Sequence, residues 1–154
     1  MSKHVRNSVK AVIIRDGRLL VVRKSDISAG YSVLPGGGQH KGETLPEALI
    51  RECAEEIGAP VTVGKLLFIR EYRSDRHEFA NLRPKVHQVE FCFACQLPVE
   101  YSPANGSSPD AGQVEVLWVG LNELTQAGLY PKVLRQILPQ LGTQPPPVYL
   151  GDVN

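Results

Sequence analysis

The 23 residues from Gly37 to Ala59 read GGQHKGETLPEALIRECAEEIGA. The second half of this stretch carries helix signals at both ends. Thr44 is a good N-cap, Glu47 completes a Thr-x-x-Glu capping box, and Pro46 is tolerated in a first helical turn. Gly58, followed by Pro60, supplies the stop. At helical spacing Leu45, Leu49, Ile50, Cys53, Ala54 and Ile57 fall on one side, while Glu52, Glu55 and Glu56 crowd one edge of the other. Like charges three or four residues apart cost an isolated helix about 0.2–0.5 kcal/mol per pair. The C-terminal half of a helix also disfavours negative charge. Helix stability alone would select against this triplet. Hard divalent cations want carboxylate oxygens, so the helix by itself allows two readings, a cation site or a solvated acidic face.

Outward from this segment, the runs 8–14 and 18–23 flank Asp16-Gly17, a dipeptide suited to a tight turn, and predict a β-hairpin. A short extended piece at 31–34 stops at Pro35 and the three glycines Gly36, Gly37 and Gly38. Downstream, strands are predicted at 61–63, 65–72, 86–97 and 114–119, and weaker helical patterns at 122–127 and 131–141. The Pro-, Ser- and Gly-rich stretch 98–112 reads as a surface loop, and the tail 142–154, with three prolines, as irregular. Neither is a domain linker, so 1–154 is expected to form a single domain.

Composition narrows the function classes. Seventeen Lys and Arg against sixteen Asp and Glu leave a net charge of +1, without the basic balance of a general nucleic-acid binder, so any anion needs a local patch. The longest apolar run, 91–95, is far short of the roughly 20 residues of a membrane-spanning helix. Neither a secretory signal nor a lipidation motif is visible, which makes a cytoplasmic setting the expectation. The three cysteines suit a reducing compartment. Cys92 and Cys95 spell C-x-x-C, but on an alternating strand they point to opposite faces and have no second pair to complete a zinc site.

The wider spacing decides between the two readings of the acids. From Gly37 the chain matches Gly-x5-Glu-x7-Arg-Glu-U-x-Glu-Glu-x-Gly-U, with U aliphatic, through Glu43, Arg51, Glu52, Glu55, Glu56 and Gly58. All seven fixed positions are filled, and at roughly one in fifteen each over about 130 frames, chance gives such a match with a probability on the order of one in a million. The segment therefore resembles the Nudix box of the MutT-like Nudix hydrolases. Cys53 and Ala59 stand where a larger aliphatic is usual, and both look like packing substitutions. The stretch 116–119 with Asn122, Glu123 and Leu124 is similar to the late strand and short helix of many members.

The resemblance implies an α/β fold, a Nudix-type α/β/α sandwich with a mixed β-sheet and a loop-helix-loop box. It implies hydrolysis of a diphosphate linkage, in a nucleoside diphosphate joined to another moiety or in a nucleoside triphosphate, assisted by Mg2+ or Mn2+. By position, Glu52, Glu55, Glu56 and the carbonyl of Gly36 match the metal ligands, and Gly37 and Gly38 lie in the box loop. Arg51 matches a residue that orients a neighbouring glutamate, and Glu43 one that holds the loop to the helix. Glu52 also matches a general base in some members, whereas others take that residue from a late loop, where Asp110 and Glu115 stand. The base stays open at this level.

The substrate is less legible. Arg23, Arg70, Arg73 and Arg76 are phosphate-binding candidates, with His77, Arg83, Lys85 and His87 near them in sequence, although interleaved acids also fit an ordinary charged strand. Tyr31, Tyr72 and Phe79 are candidates for stacking on a base or for core packing. The proline of many ADP-ribose hydrolases, the tyrosine of diadenosine polyphosphate hydrolases and a coenzyme A motif are all absent from their usual places. A small nucleotide-derived substrate is expected, with a homodimer suggested by the resemblance alone and no membrane partner. Two other readings compete, a non-hydrolytic nucleotide sensor and a hydrolase of RNA 5′ ends.

Overall fold

Asp16 and Gly17 have φ of 51° and 73°, the paired left-handed conformation that lets a two-residue turn follow the right-handed twist of its flanking strands. In this computed structural model, which describes residues 3–25, 29–78, 80 and 85–154, the elements follow in the order β1 (Arg6–Val12), β2 (Ile14–Arg15), β3 (Arg18–Lys24), β4 (Tyr31–Val33), β5 (Gly36–Gly38), α1 (Leu45–Ile57), β6 (Thr62–Arg73), β7 (His87–Gln96), β8 (Gln113–Gly120), α2 (Leu134–Ile137) and β9 (Tyr149–Asp152). Phe79 and Arg83 lie outside the described residues.

The hairpin at Asp16-Gly17 is shorter than its sequence pattern suggests. Only Ile14 and Arg15 pair across it, with Leu19 and Arg18. β1 leaves for a different sheet, running parallel to β7 from Arg6 to Val12 and antiparallel to β5. A strand that buries Ser8, Val9, Ala11 and Val12 needs neighbours on both edges, which a lone hairpin cannot provide. The result is a mixed five-stranded sheet, β5-β1-β7-β6-β9, and a second sheet in which β8 runs along one edge of β3 while β2 and β4 share the other.

Alternation along the strands divides the core in two. Val9, Ala11, Phe93 and Cys95 of the first sheet join Leu20 and Val22 of β3 in packing against Leu49, Cys53 and Ile57 of α1. Val12, Leu19, Val21, Phe68 and Cys92 point the other way, toward Leu124, Leu129, Leu134 and Leu138. This is an α/β/α sandwich of mixed strands. Cys92 and Cys95 fall in separate clusters, as an odd spacing on a strand requires. All three cysteines are free and buried, and burial pushes each thiol upward, Cys95 to about 11.

α1 starts and stops where its signals say. Thr44 and Glu47 make the reciprocal capping box, and Gly58 closes the helix in the left-handed conformation at φ 66°. Other expectations need correction. The runs 61–63 and 65–72 merge into β6, with register shifts between Val63 and Phe68 absorbing the interruption at Gly64. Residues 122–127 form successive turns rather than a helix, being too few to repay helix nucleation while Leu124 is pinned in the core. The pattern at 131–141 yields α2 and then a 3-10 turn at Leu138–Gln140, where Pro139 has no N–H to continue an α-helix.

The tail 142–154 is not irregular throughout. Its prolines occupy only 145–147, and beyond them β9 adds in parallel to the open edge of β6, with Tyr149 opposite Ile69 and Asp152 opposite Glu71. The stretch 98–112 is irregular, as expected, but it also covers the C-terminal end of α1. Gly106 N–H and Gln113 Nε2 donate to the Glu56 carbonyl at 2.9 and 2.8 Å, Ser108 N–H to the Glu55 carbonyl at 2.9 Å, and the Tyr101 hydroxyl to the Ile57 carbonyl at 2.8 Å. These bonds satisfy carbonyls that a helix end leaves without partners. No helix among the described residues is long and apolar enough to cross a membrane.

Candidate active site

A cleft of about 320 Å3, within the size range of small-molecule sites, opens beside the box loop. β1 contributes Arg6, Ser8 and Lys10, β7 contributes Gln88 and Glu90, and β6 contributes Arg70 and Tyr72. Register places Ser8, Glu90 and Arg70 in one row across the three strands, and Arg6, Gln88 and Tyr72 in the next. The box loop and α1 close one side with Gly36, Gly37, Glu52 and Glu56, and the other walls include Lys24, Tyr31, Asp110, Tyr130 and Asn154.

The glycines of the loop are there for space. A Cβ on Gly36 would lie 2.0 Å from the Val9 carbonyl oxygen, and its φ of 137° already excludes ordinary side chains. A Cβ on Gly37 would lie 2.6 Å from the Glu52 carboxyl carbon, so the acid packs directly on bare backbone. Glu56 is only 4% exposed and accepts the Gly36 N–H at 3.0 Å. Burial pushes its carboxyl up to about 7; the Glu52 and Asp110 charges add to the rise, while Lys10 and the Gly36 N–H oppose it.

Behind the acids, Arg51 gathers the loop and the helix. Its guanidinium donates to Glu43, to the Gly38 carbonyl at 2.9 Å, to Glu52 at 3.1 Å and to Glu55 at 3.5 Å. Glu43 also accepts the His40 N–H at 2.8 Å, so it ties the loop to the helix. The Arg51 hydrogen bond holds the Glu43 carboxyl down at about 2, and Glu43 in turn raises the Arg51 guanidinium.

The structure sorts the other candidates. Asp110 reaches the cleft and pairs with Lys24 at 2.8 Å; burial works against its ionisation, but the lysine holds it below the usual range. Glu115 is exposed on β8, opposite Arg23, and neither residue lines the cleft. Of the four arginines, only Arg70 does so. Arg73 pairs with Asp75 at 2.9 Å, and Arg76 faces Asp152 at 3.9 Å. Glu55 is also off the cleft, on the Arg51 side of the helix. Arg6, Lys10, Lys24 and Glu90 are cleft residues that the sequence did not single out. For Lys10 and Glu90 the available signal was charge at an interior strand position, whereas Arg6 and Lys24 stand at the ends of their strands.

These donors suit a hard cation. Glu52 and Glu56 are neighbouring carboxylates on one helix turn, and the buried one carries a strained ionisation that a positive ion would relieve. Among the described residues, however, no three acidic, histidine or cysteine side chains form a metal-binding cluster. Glu52 leans on Gly37 and Arg51, and Glu56 on the Gly36 N–H.

The NUDIX domain model matches residues 4–141. This chain belongs to the Nudix family. As a Nudix protein it is 38% identical over 91 residues to an ADP-ribose pyrophosphatase of Methanocaldococcus jannaschii, covering 58% of this chain and 50% of that one. It is 39% identical over 59 residues to a CTP pyrophosphohydrolase of Escherichia coli, 37% and 44% of the two chains. It is 42% identical over 48 residues to an RNA pyrophosphohydrolase of Gluconobacter oxydans, 31% and 28%. The chain thus spans half or less of these curated relatives. A NUDIX hydrolase from Nitrosomonas europaea has the same fold, with a TM-score of 0.72 at 24% identity and 94% of each chain covered. Nudix hydrolases generally use divalent metal ions.

Proposed function

We propose that this Nudix protein is a divalent-metal-dependent pyrophosphohydrolase, cleaving a diphosphate linkage in a nucleoside triphosphate or in a nucleoside diphosphate joined to another moiety. One observation carries the reading. Two box carboxylates, Glu52 and Glu56, border a cleft whose other walls present the cations Arg6, Lys10, Lys24 and Arg70. Acids for a metal and cations for phosphates face one space, the pairing that phosphoryl-transfer sites need. The relatives named for pyrophosphate hydrolysis agree with it.

Glu52, Glu56 and the Gly36 carbonyl would hold Mg2+ or Mn2+, with Glu55 supporting them through Arg51. When bound, the cation neutralises phosphate charge and eases attack by water at phosphorus. The protein groups supply orientation. The Gly36 N–H fixes Glu56, and Arg51 fixes Glu52 from behind. Arg70 is clamped by Glu90 and the Val153 carbonyl, so it meets a phosphate already aligned. Glu52 and Asp110 line the cleft whereas Glu115 does not, which supports one of the first two as the proton acceptor.

The test is hydrolysis, in Mg2+ and in Mn2+, of nucleoside triphosphates, nucleoside diphosphate sugars, dinucleotides and 5′-triphosphorylated RNA, with products identified by mass spectrometry. Cleavage of an anhydride bond in one class, lost in Glu56→Gln, is the expected result. Binding without turnover across the panel would favour a sensor instead.

A further inference from the structure

Lys10 is one of the cleft cations, and its ammonium is held by backbone carbonyls. It stands between Val9 and Ala11, both fully buried, at the point where β1 faces Gly36 of β5. Its Nζ donates to the Gly36 carbonyl at 3.2 Å and to the Leu34 carbonyl at 3.4 Å. One residue, Gly36, therefore holds Glu56 by its N–H and Lys10 by its oxygen. Glu56 of α1, Glu90 of β7 and Asp110 of the late loop line the same cleft as Lys10, and its positive charge favours their ionised forms. A positive charge seated on a backbone carbonyl beside buried carboxylates is what a metal ion would supply at the same place.

We propose that Lys10 is a resident counter-cation of this site: its ammonium occupies the Gly36 carbonyl and balances the nearby carboxylates, and a divalent ion must compete with it for that oxygen. The inference rests on the metal reading above. It makes Lys10 a positioning residue that sets metal affinity, distinct from a lysine that only touches phosphate.

Mn2+ binding to the full chain without nucleotide, followed by calorimetry and by the electron paramagnetic resonance of free Mn2+, tests it. Lys10→Met and Lys10→Gln are expected to bind Mn2+ at least about tenfold more tightly than the unaltered protein, and Lys10→Arg within about twofold, since only the first two remove the charge. Lys10→Gln keeps a polar donor and guards against a folding defect in the methionine variant. Equal Mn2+ affinity in all forms would overturn the inference and leave the metal reading standing. Equal Mn2+ affinity with weakened nucleotide binding would overturn it too and assign Lys10 to phosphate. No Mn2+ binding by any form would overturn both.

Discussion

Arg70 and Glu90 are register partners on β6 and β7, joined by two parallel bonds, Nε to Oε1 at 3.2 Å and Nη2 to Oε2 at 3.1 Å. The remaining groups are also satisfied: Arg70 Nη1 donates to the Val153 carbonyl at 2.6 Å, and Gln88 Nε2 donates to Glu90 at 2.7 Å. Burial opposes ionisation of Glu90, and the arginine outweighs it, holding the acid below the ordinary range. Removing one partner leaves a buried charge uncompensated. Glu90→Ala is therefore expected to cost about 3–5 kcal/mol in urea unfolding. A loss below about 1 kcal/mol, the size of an exposed pair, would show that the cleft wall is solvated.

On the proposed reading the box acids serve catalysis, where Glu90 serves folding. Glu52→Gln and Glu56→Gln keep the volume and remove charge that the helix never needed. Turnover is expected to fall by at least about a hundredfold with the thermal midpoint and circular dichroism retained. Unchanged turnover in both variants would remove them from the metal site.

Gly37 separates position from chemistry. Its φ is not in the left-handed region, and the atoms nearest an added Cβ are the carboxylate end of Glu52, at 2.6–2.7 Å. Gly37→Ala should push that flexible carboxylate aside at little cost to stability, while activity drops about tenfold or more through its misplacement. Gly36→Ala should instead fail to fold normally, because its Cβ meets the Val9 carbonyl. Equal behaviour of the two variants would contradict the packing described.

Acid stability reports on the Arg51 hub. Glu43 has its carboxyl held down at about 2 in the folded state, from an ordinary value of 4.5. A lowered folded value means that the unfolded chain binds the proton more readily, so the stabilisation is full above about 4.5 and is lost as pH falls toward 2. Urea midpoints measured from pH 6 to pH 2.5 should fall less steeply in Glu43→Gln than in the unaltered protein. Parallel profiles would mean that the pair contributes nothing to folding.

The acid-bearing helix was legible in the sequence because every signal for it is local. Thr44, Glu47 and Gly58 act within a few residues of the backbone groups they satisfy, and the spacing from Gly37 through Glu56 names the family without reference to anything distant. The alternation that sends Cys92 and Cys95 to opposite faces is local as well. The hairpin was only half legible: Asp16-Gly17 specifies its turn, but the partner of β1 is β7, whose strand begins at His87. β9 was missed because pairing at the open edge of β6 depends on that edge being there, which nothing in Tyr149–Asp152 announces.

The cleft followed the same division. Sequence by itself determined the family, the capped helix and the acids it carries, since these depend on spacing along one chain segment. Tertiary structure decided which charges share the cleft, bringing in Arg6, Lys10, Lys24 and Glu90, leaving out Glu115, and turning Arg73 and Arg76 toward Asp75 and Asp152. Electrostatic partnership falls off within a few ångströms, and strands far apart in sequence are set side by side only by sheet register and by burial of their apolar faces.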